Sequence, residues 1–345
     1  MKGKMKAQLF YGPGDVRYED IDIPEIGNDE ALVRIRSALT CGSDLKTYRR
    51  GHPTMIKKAS VFGHEWAGDI EKIGSDVDDF KVGDRVVAAN SVPCYKCYYC
   101  KIGRHSLCEN LEYNNGAYAE YIKIPGNILK KNTYKIPEKI NYREAALLEP
   151  LACVVHGIER SDINAGDMVV INGAGPIGLM FVVLAKLKGA LVISVDLSDE
   201  RLGYAREFGA DYIINGSRVD DQVQAVKDLT EGRRGVDVAV DATGIPRVWE
   251  MAILMCRKGA VVDLFGGCVP DTSINIDTGL IHYSELTIKG IYHHTPYYVK
   301  KAFDLITSEK INTAKFITAD MPLEKLIGAL ELMGQQKGIK YNIIT

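Results

Sequence analysis

The sequence has no strong excess of charge of either sign. Its 43 Lys and Arg residues nearly balance 45 Asp and Glu residues, which leaves a formal charge of −2 at pH 7. A chain without a basic excess lacks the electrostatic attraction that nucleic acids and anionic membranes require. We therefore expect partners of neither kind.

Long hydrophobic runs are also missing. The most apolar segment, PIGLMFVVLA at 176–185, is about half as long as a membrane-spanning helix needs to be. The opening MKGKMKAQLF has lysines but lacks the apolar run of a secretory signal. We expect a cytoplasmic protein, in which thiols stay reduced and disulfides are rare. The length of 345 residues suits two domains of ordinary size.

Cysteine, by contrast, is concentrated in one stretch. Four of the eight cysteines lie in CYKCYYCKIGRHSLC, at Cys94, Cys97, Cys100 and Cys108. Two-residue gaps let successive thiolates face one small cation, and four thiolates complete the closed tetrahedral shell of a structural zinc site. A closed shell admits no substrate, so the chemistry is expected elsewhere.

Two other interpretations of this cysteine stretch are weaker. The ferredoxin pattern for an iron–sulfur cluster has a final gap of three residues followed by proline. Here the final gap is seven residues and Glu109 follows it. A zinc finger for nucleic acid would need a basic surface, which the composition does not provide.

A second set of metal-binding residue types is scattered along the chain. Cys41 lies in TCGSD, His64 and Glu65 in GHEWAG, and Glu149 in LLEPLACVVHG. Thiolate, imidazole and carboxylate are the ligands of catalytic zinc, which keeps one position open. Taken singly, each residue is more ordinary as a buried thiol or a surface polar group. Gly63 strengthens the metal interpretation because it lets the backbone turn beside His64.

The chain changes character after about residue 150, where MVVINGAGPIGLM at 168–180 predicts a strand, a glycine turn and the start of a helix. The turn contains Gly173, Gly175 and Gly178 in the pattern G-x-G-x-x-G, with Pro176 and Ile177 between the last two. In this context the pattern is the dinucleotide-binding fingerprint, whose glycines admit a pyrophosphate to the helix N-terminus.

A second strand, LVISVD, ends in Asp196, 23 residues after Gly173. Asp196 is placed to accept hydrogen bonds from the adenosine ribose, and a carboxylate there repels a 2′-phosphate. We therefore expect NAD as the cofactor. Arg201 also belongs to the expected cofactor site, and it keeps NADP open as an alternative.

Further strands and helices continue the pattern to about residue 290. Strands are predicted for YIIN (212–215), VDVAVD (236–241), AVVDLF (260–265) and ELTIKG (285–290). Helical stretches are predicted near 199–208, 219–230 and 246–257. Six strands with helical crossovers indicate an α/β fold with a doubly wound parallel sheet.

Taken in order, the motifs resemble those of the zinc-dependent medium-chain dehydrogenase/reductase superfamily. They are CGSD, GHEWAG, KVGDRV, the cysteine stretch, LLEPLACVVHG and GAGPIG. The resemblance covers the whole chain and is greatest to the polyol (sorbitol-type) and threonine dehydrogenase branch. It implies a GroES-like, β-rich catalytic domain formed by 1–150 and 290–345, with both zinc sites. It also implies a Rossmann NAD-binding domain at 151–289, an active site in the cleft between the domains, and a homodimer or homotetramer.

The resemblance also implies roles for single residues. Cys41 and His64 would be ligands of the catalytic zinc, and Glu65 would be a ligand or its partner. Glu149 would be a ligand or an exchangeable near-ligand. Ser43 matches the hydroxyl that binds the substrate alcohol and passes its proton outward.

One position departs from the family pattern. Members of this kind often have histidine five residues after the cysteine, in CGxDxH, where this chain has Lys46. The group that ends the proton relay in this chain is therefore not identified by the motif. His52 in RRGHP is one substitute, and direct release of the proton to water is the other.

The expected reaction is transfer of a hydride between a secondary alcohol and NAD, with zinc at the reacting oxygen. The alcohol would be a polyol, a sugar acid or a sugar phosphate. The segment KTYRRGHPTMIKK at 46–58 has five Lys and Arg residues and no acid, which favours an anionic substrate, although solvated loops also show such charge runs.

Three other functions are weighed against this one. An L-threonine 3-dehydrogenase would use the same motifs. A noncatalytic dinucleotide-binding sensor or structural protein would need no catalytic metal residues, yet Cys41, His64, Glu65 and Glu149 are all present. Zinc-free quinone reduction conflicts with the two metal-binding sets.

Overall fold

The computed structural model describes residues 3–51, 56 and 59–345. The chain divides into two compact units. We call Met1–Ala152 together with His294–Thr345 the split unit, and Cys153–His293 the middle unit. The predicted fold class is confirmed, because the split unit is rich in antiparallel strands and the middle unit has a parallel sheet.

The amino-terminal part of the chain consists mainly of strands. They are β1 (Lys4–Gly12), β2 (Asp15–Asp22), β3 (Ala31–Leu39), β4 (Ser60–Val61), β5 (Glu65–Ile73), β6 (Arg85–Ala88), β7 (Ser91–Val92), β8 (Glu112–Tyr113), β9 (Tyr121–Ile124) and β10 (Thr133–Lys135). The helices are α1 (Gly42–Arg50), α2 (Tyr98–Lys101), α3 (Gly126–Asn132), α4 (Tyr142–Ala145) and α5 (Leu148–Arg160).

The middle of the chain alternates strands and helices. The strands are β11 (Met168–Asn172), β12 (Leu191–Asp196), β13 (Tyr212–Asn215), β14 (Val236–Asp241), β15 (Cys256–Leu264) and β16 (Thr287–Gly290). The helices are α6 (Pro176–Leu187), α7 (Asp199–Glu207), α8 (Gln222–Asp228), α9 (Pro246–Leu254) and α10 (Thr278–Tyr283).

The carboxyl-terminal part contributes α11 (Pro296–Thr307), β17 (Ile317–Pro322), α12 (Leu326–Gly334) and β18 (Lys340–Ile344). Strands β17 and β18 join the main sheet of the split unit, whose order is β10-β6-β5-β3-β18-β17 with β9 paired to β3. The core beside this sheet includes Trp66, Phe62 and Tyr118. The sheet thus places β5, β3 and β18 side by side, which positions the candidate metal site described below.

The middle unit has a six-stranded sheet in the order β13-β12-β11-β14-β15-β16, and all its neighbouring strands are parallel. The order reverses between β11 and β14, which is the point where such sheets bind a dinucleotide. Pro176 at the first position of α6 and the Ser198 side chain that caps α7 are both typical helix starts.

Most predicted bounds in the middle unit match the structure to within a residue, and four differ by more. The strand predicted over 260–265 is β15, which starts four residues earlier at Cys256. The helix predicted over 246–257 ends at Leu254, because Cys256 already pairs with Val236 as the first residue of β15. The helix predicted over 219–230 is α8, which begins at Gln222 because Asp221 caps it. The strand predicted over 285–290 starts at Thr287, after Glu285 with a φ of 49°.

Within the part of the chain that the structure describes, no helix combines the length and apolar character that crossing a bilayer requires.

Candidate functional site

The four cysteines of the stretch 94–108 converge. Their sulfur atoms all lie within 4.8 Å of one another. The backbone N–H of Cys94 donates to Cys108 Sγ at 3.2 Å, and that of Cys97 donates to Cys94 Sγ at 3.4 Å. Such bonds favour thiolates, and the backbone N–H of Lys96 leads in lowering the pKa of Cys94 to about 6. Four clustered sulfur donors fit zinc.

Cys41, His64 and Glu65 form a second group, whose ligand atoms also lie within 4.8 Å of one another. Cys41 precedes α1, and Glu65 is the first residue of β5. His64 is 7% exposed and Glu65 is fully buried. Cys41 is partly exposed. One sulfur, one nitrogen and one carboxylate donor match the ligand chemistry of a catalytic zinc.

The bend that brings His64 and Glu65 together depends on Gly63. Its φ is +88°, and a Cβ there would lie 2.7 Å from the Tyr118 ring. A side chain at this position would therefore meet both backbone strain and a clash. The sequence predicted a turn here, and the structure adds Tyr118 as the reason why space is lacking.

Asp44 orients the imidazole of His64. Its Oδ1 lies 3.3 Å from His64 Nδ1, and its Oδ2 accepts hydrogen bonds from the Tyr118 hydroxyl at 2.5 Å and from the Cys41 N–H at 3.1 Å. A carboxylate on one ring nitrogen leaves the other free for a metal. Burial lowers the pKa of His64, but Asp44 outweighs it and the net direction is upward.

Lys340 holds the carboxylate of Glu65. Its ammonium donates to Glu65 Oε1 at 2.8 Å and Oε2 at 2.6 Å, and to the carbonyl oxygen of Thr40 at 2.8 Å. These three bonds use all three ammonium protons. Burial lowers the pKa of Lys340, and the Glu65 carboxylate more than compensates, so the ammonium stays charged.

Ser43 lies beside the group in the first turn of α1. Its Oγ is 3.5 Å from His64 Nε2, and its carbonyl oxygen accepts a hydrogen bond from Thr47 Oγ1 at 2.8 Å. Burial raises the pKa of Cys41, but the hydrogen bond with His64 brings it down to about 7. Lys46 is exposed, and His52 lies outside the described residues.

Glu149 is not part of the Cys41 group within the described residues. Its Oε1 lies 3.8 Å from His294 Nε2, which also lies 3.2 Å from Asn90 Oδ1. Both Glu149 and His294 are buried. The structure thus places the predicted Glu149 with a histidine that the motifs did not assign to it.

The glycine turn in the middle unit has the shape that a dinucleotide requires. Gly173 has a φ of +96°, and a Cβ at Gly178 would overlap the carbonyl oxygen of Gly173. Gly175 precedes the first turn of α6, which Pro176 and Ile177 begin. The bare backbone at the start of this 12-residue helix can approach a pyrophosphate.

Asp196 and Arg201 flank this turn. Asp196 Oδ2 accepts a hydrogen bond from the Ala174 N–H at 2.7 Å, and its Oδ1 accepts one from Ser198 N–H at 2.9 Å. Each oxygen keeps a lone pair for a ribose hydroxyl. The buried Arg201 Nε has no hydrogen-bond partner among the described residues, and a Cβ at Gly175 would lie 3.9 Å from Arg201 Nη1. A guanidinium with an unpaired Nε beside the turn fits a phosphate-bearing ligand.

Sequence reasoning missed Asp44, Tyr118 and Lys340 as members of these sites. The clearest overlooked pattern was KYNII at 340–344. A lysine that opens a mostly buried strand requires an acidic partner.

Comparison with known proteins agrees with these sites. Residues 27–138 match the alcohol dehydrogenase GroES-like domain, and residues 176–308 match the zinc-binding dehydrogenase family. The chain is 34% identical over 335 residues to sorbitol dehydrogenase of Bacillus subtilis (strain 168), covering 95% of this chain and 93% of that protein.

Two solved structures are similar over nearly the whole chain. A zinc-binding dehydrogenase from Sinorhizobium meliloti 1021, solved with NADP, has a TM-score of 0.91 and 28% identity, covering 99% of this chain and 100% of that one. Galactitol-1-phosphate dehydrogenase from Escherichia coli has a TM-score of 0.88 and 27% identity, covering 99% and 100%. The chain therefore belongs to the zinc-dependent medium-chain dehydrogenase/reductase superfamily, in its polyol dehydrogenase branch, and is an oxidoreductase.

Proposed function

We propose that the protein oxidises a secondary alcohol of a polyol and transfers hydride to NAD, or runs the reverse reduction. The observation that carries this proposal is the Cys41–His64–Glu65 group with its three different ligand types, in which His64 and Glu65 are buried and Cys41 is partly exposed. The whole-length similarity to a sorbitol dehydrogenase supports the polyol as substrate class. Threonine 3-dehydrogenase, which would use the same motifs, is not favoured by the relatives.

The proposed ligands of the catalytic metal are Cys41 and His64, with Glu65 as a ligand or its partner. The double hydrogen bond from Lys340 supports the partner role, because it occupies both carboxylate oxygens. Glu149 remains proposed as an exchangeable near-ligand. Cys94, Cys97, Cys100 and Cys108 are proposed to hold a second, structural zinc.

The chain's own groups have separate tasks in this proposal. Zinc in the Cys41 group supplies electrostatic stabilisation for charge that develops on the substrate oxygen, and the nicotinamide supplies the redox chemistry. Ser43, beside His64 Nε2, would receive the proton of the substrate hydroxyl. Because Lys46 is exposed, we propose that the proton then leaves to water.

We propose NAD rather than NADP as the cofactor. Support comes from Asp196 at the end of β12, since a carboxylate there repels a 2′-phosphate. The unpaired Arg201 Nε and the NADP found with the Sinorhizobium meliloti protein keep NADP as the alternative. Relative kcat/KM values for the two cofactors decide between them.

Domain organisation, compartment and assembly are further proposals. We assign 1–150 and 290–345 to the catalytic domain with both zinc sites, and 151–289 to the NAD-binding domain. A cytoplasmic location would keep the four clustered thiols reduced for zinc. We also propose a homodimer or homotetramer, which sedimentation of the purified protein would test.

We also propose that the substrate is anionic. Lys46, Arg49 and Arg50 are exposed on α1, and one similar structure is a galactitol-1-phosphate dehydrogenase. Arg49 and Arg50 also have a plain structural task, since basic residues favour the last turn of a helix. Lys57 and Lys58 lie outside the described residues.

The test is NADH formation by zinc-loaded protein with neutral polyols, sugar acids, sugar phosphates, threonine and simple alcohols. Turnover of polyols supports the proposal, and Cys41→Ser is expected to abolish it by removing a metal ligand. A lower KM for galactitol 1-phosphate than for galactitol would support an anionic substrate, provided that the KM for the phosphate rises with salt. Turnover of threonine alone, or turnover that survives Cys41→Ser, would overturn the proposal.

A further inference from the structure

A buried carboxylate in the middle unit collects hydrogen bonds from two loops. Asp241, the last residue of β14, is fully buried. Its Oδ2 accepts from the N–H of Thr243 at 3.2 Å and of Gly244 at 2.9 Å, and its Oδ1 accepts from Thr243 Oγ1 at 2.6 Å. The loop after β14 is therefore folded around this side chain.

The loop after β15 is tied to the same residue. The backbone N–H of Gly266 donates to the carbonyl oxygen of Asp241 at 2.8 Å. Trp249, on α9, donates its indole N–H to Asp241 Oδ2 at 3.0 Å and to the carbonyl oxygen of Gly266 at 3.2 Å. The Asp241 side chain and the Trp249 indole thus connect the loops that follow β14 and β15.

Both loops are packed too closely to rearrange independently. Gly244 has a φ of +67°, and a Cβ on it would overlap the carbonyl oxygen of Gly267. A Cβ on Gly266 would lie 2.6 Å from Asp241 Oδ2. The backbone of each loop therefore defines the position of the other, with the Asp241 carboxylate between them.

The position of these loops at one edge of the sheet indicates their function. They follow the carboxyl ends of β14 and β15, on the far side of the order reversal from β12 and its Asp196. A dinucleotide that extends from Asp196 across the glycine turn would place its nicotinamide half on this side. Thr243 Cγ2 would lie 2.8 Å from a Cβ on Gly173, so the loop after β14 directly adjoins the turn.

We propose that Asp241 is a positioning residue for the cofactor, which fixes the loops at 242–245 and 265–268 so that they receive the nicotinamide half of the dinucleotide. The inference rests on the proposed use of a nicotinamide dinucleotide. Asp241 touches no reacting atom in this proposal, and acts only through the two loops that it holds.

The test compares affinities for NADH and ADP in Asp241→Asn and wild type. ADP lacks the nicotinamide half and reports on the adenosine side alone. We expect the Kd for NADH to rise about tenfold or more, since the amide keeps only one, uncharged acceptor oxygen and turns an NH2 toward donors that bonded the other, and the Kd for ADP to rise less than about threefold. The KM for NAD should rise, and the KM for the alcohol should stay near that of the wild type.

Two further variants make the test specific. Trp249→Phe keeps the ring and removes only the N–H that bridges Asp241 and Gly266, so the NADH-to-ADP ratio of Kd values should rise about threefold. Asp263→Asn is the matched control, because Asp263 is a buried carboxylate on β15 that contacts the Ser161 hydroxyl. The NADH-to-ADP ratio of Kd values in Asp263→Asn should stay within about twofold of the wild-type ratio.

The outcomes separate the inference from the proposed function. A lower thermal midpoint in Asp241→Asn with an unchanged NADH-to-ADP ratio would show a purely structural role and overturn the inference. If that variant fails to fold, an unchanged ratio in Trp249→Phe overturns it instead. Failure of the wild type itself to bind either NADH or NADPH would refute the proposed cofactor, and the inference with it.

Discussion

Two buried carboxylates, one in each unit, are accommodated in opposite ways. Burial raises the pKa of Glu65 in the split unit, but both of its carboxylate oxygens accept hydrogen bonds from the ammonium of Lys340, which opposes that shift and matches the charge. Both side chains are at most 1% exposed. Asp263 in the middle unit has its Oδ2 in hydrogen-bond contact with Ser161 Oγ, 2.8 Å away. Burial raises the pKa of Asp263 to about 7. One site therefore keeps a charge pair, and the other favours the neutral acid.

The hydrogen-bond count supports a protonated Asp263. Ser161 Oγ lies 2.8 Å from both Asp263 Oδ2 and the carbonyl oxygen of Gly157, but a hydroxyl has one proton. If Asp263 is protonated, it donates to Ser161, which then donates to Gly157. Neutralisation is the usual result of burying a carboxyl group, so the retained charge beside Cys41 and His64 calls for a functional explanation.

The largest expected effect comes from removing the cation of the charged pair. Lys340→Met leaves the Glu65 carboxylate buried without its partner, which should lower the free energy of unfolding by about 3–5 kcal/mol. Urea denaturation of the variant and the wild type measures this difference.

A double variant and a surface control sharpen this prediction. Combining Lys340→Met with Glu65→Gln removes both charges and should recover part of the loss. Lys300→Met breaks an exposed pair with Asp304 and should cost less than about 1 kcal/mol. A loss in Lys340→Met no larger than in Lys300→Met would contradict the view that the Glu65 charge persists.

The second effect is a pH dependence from Asp263. Because its folded pKa lies near 7 and the ordinary value is 3.8, the folded state binds the extra proton and wild-type stability falls as pH rises from about 4 to 7. The full contribution is on the order of 4 kcal/mol at 1.36 kcal/mol per pKa unit. Asp263→Asn should flatten this part of the curve of unfolding free energy against pH.

Several groups around Asp263 influence its pKa and therefore the pH dependence of stability. Its pKa is lowered by the Ser161 hydrogen bond and by Lys289, and raised by Asp241, but burial is the largest influence. Asp304→Asn, at an exposed ion pair, serves as the control and should leave the curve nearly unchanged. If Asp263→Asn is no more stable relative to wild type at pH 8 than at pH 5, Asp263 is ionised in the folded protein.

The smallest expected effect concerns Asp44, a third buried carboxylate. Tyr118→Phe removes the hydroxyl that donates to Asp44 Oδ2, and loss of such a partner behind a metal-binding histidine typically weakens metal affinity by about 10–100-fold. Competition with a zinc chelator should show this loss in only one of two release phases, because the four-cysteine site has its own donors.

Tyr134→Phe provides the matched hydroxyl deletion for this measurement. Tyr134 is half-buried and its ring stacks on Phe303 with centroids 4.7 Å apart. We expect both zinc release phases to match the wild type. If the two tyrosine variants behave alike, the bond from Tyr118 does not orient the imidazole of His64.

The features that sequence predicts well are those set by near neighbours. The strands predicted at 212–215 and 236–241 coincide with β13 and β14 from end to end. The four cysteines fall within fifteen residues, so their spacing alone implies convergence. Local spacing also indicated the shape of the turn at Gly173, which the left-handed φ confirms.

The features that sequence analysis misses depend on contacts between distant parts of the chain. Lys340 lies 275 residues from Glu65, and Tyr118 lies 74 residues from Asp44. No local pattern links such pairs, because the sheet order that joins them is set by the whole fold. The roles predicted for Ser43, Glu65 and Glu149 stay predictions until metal-loaded protein is measured.

The distance between Glu65 and Lys340 also has a consequence for synthesis. A ribosome adding roughly 5–20 residues per second needs roughly 14–55 s for the 275 residues that separate the two. During that interval the nascent carboxylate has no ammonium to pair with, and β3 lacks its neighbour β18. The middle unit is translated completely within this interval. Formation of the ion pair beside the Cys41 group is therefore a late event in the biogenesis of the protein, and the Glu65 carboxylate must stay hydrated until then.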